Sequence, residues 1–136
     1  MSYFRVMKNS KVILCILLGV VFWLNGVMSV KLLGNYVFTE SSHYKLIMFA
    51  LLFPAIYLFI LICQKLAKLQ KSEILKAVVI MTITASFCDG AALNWFRQIY
   101  AETYEVSHYG AAWIFSGAAV GLLLGYFMND EKEDLN

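Results

Sequence analysis

The sequence predicts an all-α membrane protein, a bundle of four transmembrane helices with both termini in the cytoplasm. Three observations point there. The 136 residues are 61% hydrophobic and only 15% charged, with mean hydropathy +0.70, a balance unlike that of soluble domains. Four apolar runs, at residues 12–30, 46–64, 77–96 and 109–128, are separated by short polar stretches. Each run, wound as helix, rises about 28–30 Å, the thickness of the hydrocarbon core. None of the runs carries the charged face that a helix of a soluble bundle shows.

The first helix is expected at residues 12–33. It follows the basic start "MSYFRVMKNSK". Its apolar stretch is longer than that of a signal peptide and no small-x-small cleavage site follows, so a retained helix is expected. Alternation of aromatic and basic residues in "SYFRVMKNSK" fits a short flank that fixes topology, or a segment lying on the membrane surface. The outer half of this helix carries Asn25, Gly26 and Ser29.

The second helix is expected at residues 45–64, with Pro54 near its midpoint. Proline removes a backbone donor and crowds the preceding turn, so a bend is expected there. The third is expected at residues 74–97 and contains "ASFCDGAALNWF", with Asp89 inside an otherwise apolar run. The fourth is expected at residues 109–128, where Gly117, Gly121 and Gly125 recur every four residues. Small residues on one stripe let another helix approach closely, which in lipid is a main source of association. Helix 1 of the same chain, with Gly19 and Gly26, or a second copy are the candidate partners. The remainder, "NDEKEDLN" at residues 129–136, reads as a solvated acidic tail. With one proline and no Ser/Gly linker, residues 1–136 form a single membrane domain.

Orientation follows from the basic residues. Arg5, Lys8, Lys11, Lys65, Lys68, Lys71, Lys76 and Lys132 fall at one end, against Lys31, Lys45 and Arg97 at the other. Residues 32–44 and 98–108 are therefore expected outside, and their aromatics read as an interfacial belt. His43 and His108 open the second and fourth helices with Glu40, Glu102 and Glu105 nearby, but metal-ligand spacing is absent and no metal is expected. Cys15, Cys63 and Cys88 form neither a CxxC nor a metal pattern and read as free thiols within the bundle. A net charge of +2 without a basic stripe gives no sign of nucleic-acid binding. No phosphate loop, nucleophile elbow, zinc-protease or dinucleotide fingerprint occurs, so no cofactor and no reaction are assigned.

The chemistry is concentrated at Asp89. An ionised aspartate near the centre of a spanning helix costs roughly 2.5–3.5 kcal/mol on insertion scales, which favours a position facing protein or water. Thr82 and Ser86 share its helical face. Depth counting sets Asn25, Ser29, Asn94 and Ser116 in the same outer half, with Lys31 and Arg97 long enough to reach inward. These residues form a candidate outward-facing pocket for a proton or a cation. The bland alternative is a structural pin, with Asp89 held by Asn25 or a basic neighbour.

Four segments carry a family resemblance: "GVVFWLNGVMSVKLLGNYVF", "LLFPAIYLFI", "MTITASFCDGAALNWF" and "YGAAWIFSGAAVGLLLGYF". Together, over about residues 17–127, they resemble an uncharacterised bacterial family of small four-transmembrane-helix proteins, a domain of unknown function. Lys31 stands where the family pattern has Arg, and "CDG" where it has Leu-Asp-Ala. The first difference matters for any bidentate anion clamp, which lysine cannot make. The resemblance implies a bacterial inner-membrane protein with Asp89 as a family feature, and no activity.

Three functional classes follow. One is a small integral inner-membrane transporter or channel-like protein, linked to protons or cations through Asp89 and completed as an oligomer. The second is a non-catalytic membrane subunit, immunity or accessory protein that packs on a protein partner through Gly117, Gly121 and Gly125. The third is a membrane-embedded enzyme acting on lipid, for which no second catalytic group is evident.

Overall fold

A computed structural model describes residues 7–132. Arg5, most of the aromatic and basic N-terminal flank, and the last four residues of the acidic tail lie outside the described residues. Four long helices follow in order: α1 (Asn9–Val37), α2 (Lys45–Leu66), α3 (Ile74–Trp95) and α4 (Tyr104–Met128). Single 3-10 turns at Lys71–Glu73 and Arg97–Ile99 flank α3. All four helices are long and apolar enough to cross a membrane, and no strand occurs among the described residues. Leu17, Leu58, Phe87 and Phe115 are among many large apolar side chains on the outer surface, where only lipid would make them unremarkable.

The helices are longer than their apolar runs, for local reasons. α1 continues to Val37 because Gly34 does not stop it. Gly34 stays helical, its bare face lies against Val106 of α4, and its carbonyl accepts from Phe38 N–H at 2.8 Å. With 29 residues, α1 is about 43 Å long, so it tilts or projects beyond the hydrocarbon core. α4 starts at Tyr104, earlier than apolarity alone suggests, because Thr103 caps it: the Thr103 hydroxyl accepts from Val106 N–H at 3.3 Å. α3 ends at Trp95, where Phe96 N–H closes on Ala92 C=O, and Arg97 opens the following 3-10 turn. α2 runs unbroken through Pro54, which sits on an exposed face.

The spatial arrangement differs from the chain order. α1 packs mainly on α3, α3 on α4, and α4 on α2, while α1 and α2 touch little. One apolar cluster gathers around Cys15, Ile60, Cys63, Ala77 and Met81, and a second around Val30, Phe38, Ala92, Tyr100 and Val106. The end of the bundle near both termini is tied by polar contacts. Lys11 Nζ meets Glu73 Oε2 at 2.8 Å, and Asn129 Oδ1 accepts from Leu75 N–H at 3.1 Å. Asp130 N–H donates to Lys71 C=O at 3.1 Å, so the tail is anchored for its first residues rather than free from Asn129. At the opposite end Glu105 Oε1 accepts from Glu40 N–H at 2.8 Å, joining the α1–α2 loop to α4.

The glycines of α4 face inward. A Cβ on Gly117 would meet Leu52 and Ile56, one on Gly121 would meet Ile56, and one on Gly125 would meet Val78. Gly117, Gly121 and Gly125 are thus filled by α2 and α3 of the same chain, while helix 1 takes the outer part of the α4 surface, where a Cβ on Gly110 would meet Val30 and Gly26 faces Ile114. Gly19 of α1 faces Met81 and Thr84 of α3 instead.

Candidate functional site

The buried face of α3 runs Ala77, Met81, Ala85, Asp89, Ala92. Small residues on either side of Asp89 let α1 approach closely, so the carboxylate lies among the helices and not on the outer surface of the bundle. Asp89 is 9% exposed. It lies six residues before the end of α3 at Trp95, about 9 Å along the axis.

Its donor is Tyr100, an aromatic of the outer segment 98–108 where an interfacial belt is expected. The 3-10 turn after α3 folds Tyr100 back into the bundle, where the side chain is 1% exposed. Tyr100 OH donates to Asp89 Oδ1 at 2.5 Å and accepts from Trp23 Nε1 at 2.9 Å. The result is a relay from α1 through the 96–103 loop to α3. Burial, and then the bond to Asp89, raise the Tyr100 hydroxyl above its ordinary pKa of 10.0, so it remains a donor. Asp89 Oδ2 has no partner among the described residues, yet no enclosed side-chain oxygen or nitrogen there lacks one. Oδ2 therefore retains accessible surface.

Asp89 lines two cavities. The larger, about 220 Å³, lies between α1, α2 and α4, with Asp89 as its single α3 residue. Asn25 and Ser29 line it with Trp23, Ala55 and Trp113. The smaller, about 40 Å³, holds Thr82, Ser86 and Asp89 against Ile60 and Gly121. Phe22 and Phe59, with ring centroids 4.9 Å apart, border both. No Lys, Arg or His lines either one.

Of the residues expected around Asp89, Asn25, Ser29 and Ser86 join it, although Ser29 Oγ is already committed to Asn25 C=O at 2.8 Å. The others do not. Ser116 donates to Ala112 C=O within its own helix at 3.0 Å and borders neither cavity. Lys31 is exposed on α1. Arg97 points away: its Nη1 donates to Ala101 C=O, Glu102 C=O and Ser107 Oγ at 3.1–3.3 Å, and its guanidinium lies 3.9 Å from the Tyr104 ring centroid. Asn94 and Arg97 line a separate hollow of about 320 Å³ at the end of the bundle, with Trp95 and Tyr104. Asp89 is thus paired by neither Asn25 nor a base; its one donor among the described residues is a phenol. Trp23 and Tyr100 were the missed residues. Their only sequence signal was a polar atom on an aromatic ring near the level of Asp89.

Other titratable clusters are sparse. No group of three or more His, Cys, Asp or Glu side chains suited to a metal occurs among the described residues. His43 and His108 are both exposed. Cys15, Cys63 and Cys88 are free, the first two buried and the third half-buried.

No curated protein and no solved structure matches the chain. A family described as of unknown function, DUF5367, matches residues 36–132. The match spans α2, α3 and α4, including Asp89, Tyr100 and the three glycines, and leaves most of α1 outside. The resemblance noted over residues 17–127 is thereby sustained for its later three segments, and the chain belongs to the DUF5367 family, a family of unknown function.

Proposed function

We propose that this protein is a small integral protein of the bacterial cytoplasmic membrane that binds and passes a proton or a cation through Asp89. The observation carrying this reading is a buried carboxylate that has one oxygen held by Tyr100 and that lines a cavity bordered by no base. Such a carboxylate is expensive in a spanning helix unless it serves a function. It has two states available, protonated or paired with a cation, and the cavity is where exchange would occur. Because the cavity opens between α1 and α2 on one side of a small bundle, a continuous pathway would be completed by further copies of the chain. Both termini are assigned to the cytoplasm from the Lys and Arg distribution. An impermeant maleimide should then label Ser41→Cys in intact cells and Lys68→Cys only after lysis.

A second role is favoured by the Trp23–Tyr100–Asp89 relay, which links three parts of the bundle: Asp89 also fixes the 96–103 loop. The two roles separate experimentally. In proteoliposomes with an internal pH dye, the wild-type chain should dissipate an imposed proton or cation gradient and Asp89→Asn should not, while both remain folded. Equal flux in the two would leave Asp89 with the structural role alone. The subunit reading loses support because the glycines Gly117, Gly121 and Gly125 are occupied within the chain, and the enzyme reading because the phenol facing Asp89 is itself committed to Asp89 and Trp23.

A further inference from the structure

We infer that the larger cavity is a binding site for a lipophilic organic cation of one-ring size, its charge against Asp89 and its apolar body among Trp23, Phe59 and Trp113. The inference rests on the proposed role of Asp89 and names the chemistry of what meets it.

Four observations converge. The first is charge. Asp89 lines the cavity with Oδ2 unpaired among the described residues, and the lining offers no Lys, Arg or His, so a countercharge for the ionised form must arrive from outside the chain. An anion is repelled. A neutral acyl chain would fit the walls but offers the ionised carboxylate no partner, so it suits only the protonated form.

The second is the wall chemistry. Phe22, Trp23, Phe59 and Trp113 contribute aromatic surface, which attracts onium groups as well as apolar bodies. Asn25 and Ser29 are the polar residues besides Asp89, so the side chains offer one amide oxygen, one hydroxyl oxygen and the carboxylate. That is too few oxygens for a bare inorganic cation, which needs a shell of them.

The third is size. A cavity of about 220 Å³ exceeds the roughly 150 Å³ that suffices for benzene. It is large enough for one ring with a small onium head. The fourth is access. α1 and α2 touch little, and the lining residues Asn25, Leu51 and Ala55 are exposed. The mouth therefore faces the bilayer, where amphiphilic cations partition.

The test uses the full chain in uncharged detergent micelles, titrated with benzyltrimethylammonium and with neopentylbenzene, its neutral isostere. Trp23 and Trp113 report through their fluorescence. The cation should bind saturably and at least about tenfold more tightly than the isostere. Asp89→Asn should weaken the cation by about the same factor and leave the isostere unchanged. Ala55→Phe, which adds a ring at the mouth on an exposed position, should abolish both. Equal binding of the two compounds, or cation binding that survives Ala55→Phe, overturns the proposal and leaves an acyl-chain groove or a surface effect. Should Asp89→Asn fail to fold, the comparison of compounds on the wild type and on Ala55→Phe still decides. The outcome is separable from the transport reading. Asp89-dependent proton flux without cation binding overturns the ligand class alone. Cation binding with flux indifferent to Asp89→Asn overturns transport and keeps the site.

Discussion

Tyr100 OH serves two partners at once, Asp89 Oδ1 as donor and Trp23 Nε1 as acceptor. Tyr100→Phe leaves both unmatched in a buried place, and should lower stability by about 1–3 kcal/mol, read from thermal unfolding in detergent. The same variant has a pH signature. Burial and the bond to Asp89 raise the hydroxyl's pKa in the folded chain, so its contribution to stability is complete below the unfolded value of about 10 and fades as pH rises beyond it. The wild-type melting temperature should therefore fall on the alkaline side more steeply than that of Tyr100→Phe. Parallel curves would remove Tyr100 from the relay. Asp89 was legible in the sequence because a carboxylate in an apolar run has few explanations. Tyr100 was not, since an aromatic in an outer loop has a common explanation in the interfacial belt, and only the 3-10 turn brings it back inside.

At the scale of helices, close approach rather than helix propensity decides which glycines matter. A Cβ at Gly19 would lie 2.8 Å from Thr84 Cβ and 2.9 Å from the Met81 carbonyl oxygen, atoms that cannot move without shifting α3 from α1. Gly19→Ala should cost about 1–3 kcal/mol. At Gly26 and Gly121 the nearest atoms are 3.8 Å away, so alanine there should stay within about 0.5 kcal/mol of wild type. Gly90 has nothing within 4 Å, and Gly90→Ala should be neutral or stabilising by up to about 1 kcal/mol. Unfolding the four variants in one detergent checks the order, and a Gly121→Ala loss equal to that of Gly19→Ala would contradict it. The four-residue glycine spacing in α4 announced a close contact. It did not name the partner, because α2, α3 and helix 1 all offer apolar surface, and the choice is made by the packing order of the whole bundle. Helix number was legible from run length. Helix ends were less so, since the polar turn 104–108 is helical through the Thr103 cap rather than through apolarity.

Across the whole molecule, the proposed role of Asp89 depends on the loose contact between α1 and α2, through which a buried acid would be reachable. Had α1 packed on α2 as closely as on α3, Asp89 would be sealed and only the pin would remain. The sequence carried the depth of Asn25 and Asp89, but the crevice depends on which helices are neighbours, which a single chain of apolar runs does not specify. The claim that Asp89 is open to the bilayer through this crevice is tested most directly by an apolar carbodiimide, which enters the membrane and modifies accessible protonated carboxyls. Peptide mass spectrometry of the treated protein should find Asp89 modified in the wild type and protected in Ala55→Phe. An unmodified Asp89 in the wild type, under conditions that label an exposed acid such as Glu102, would show the carboxylate sealed and contradict the site.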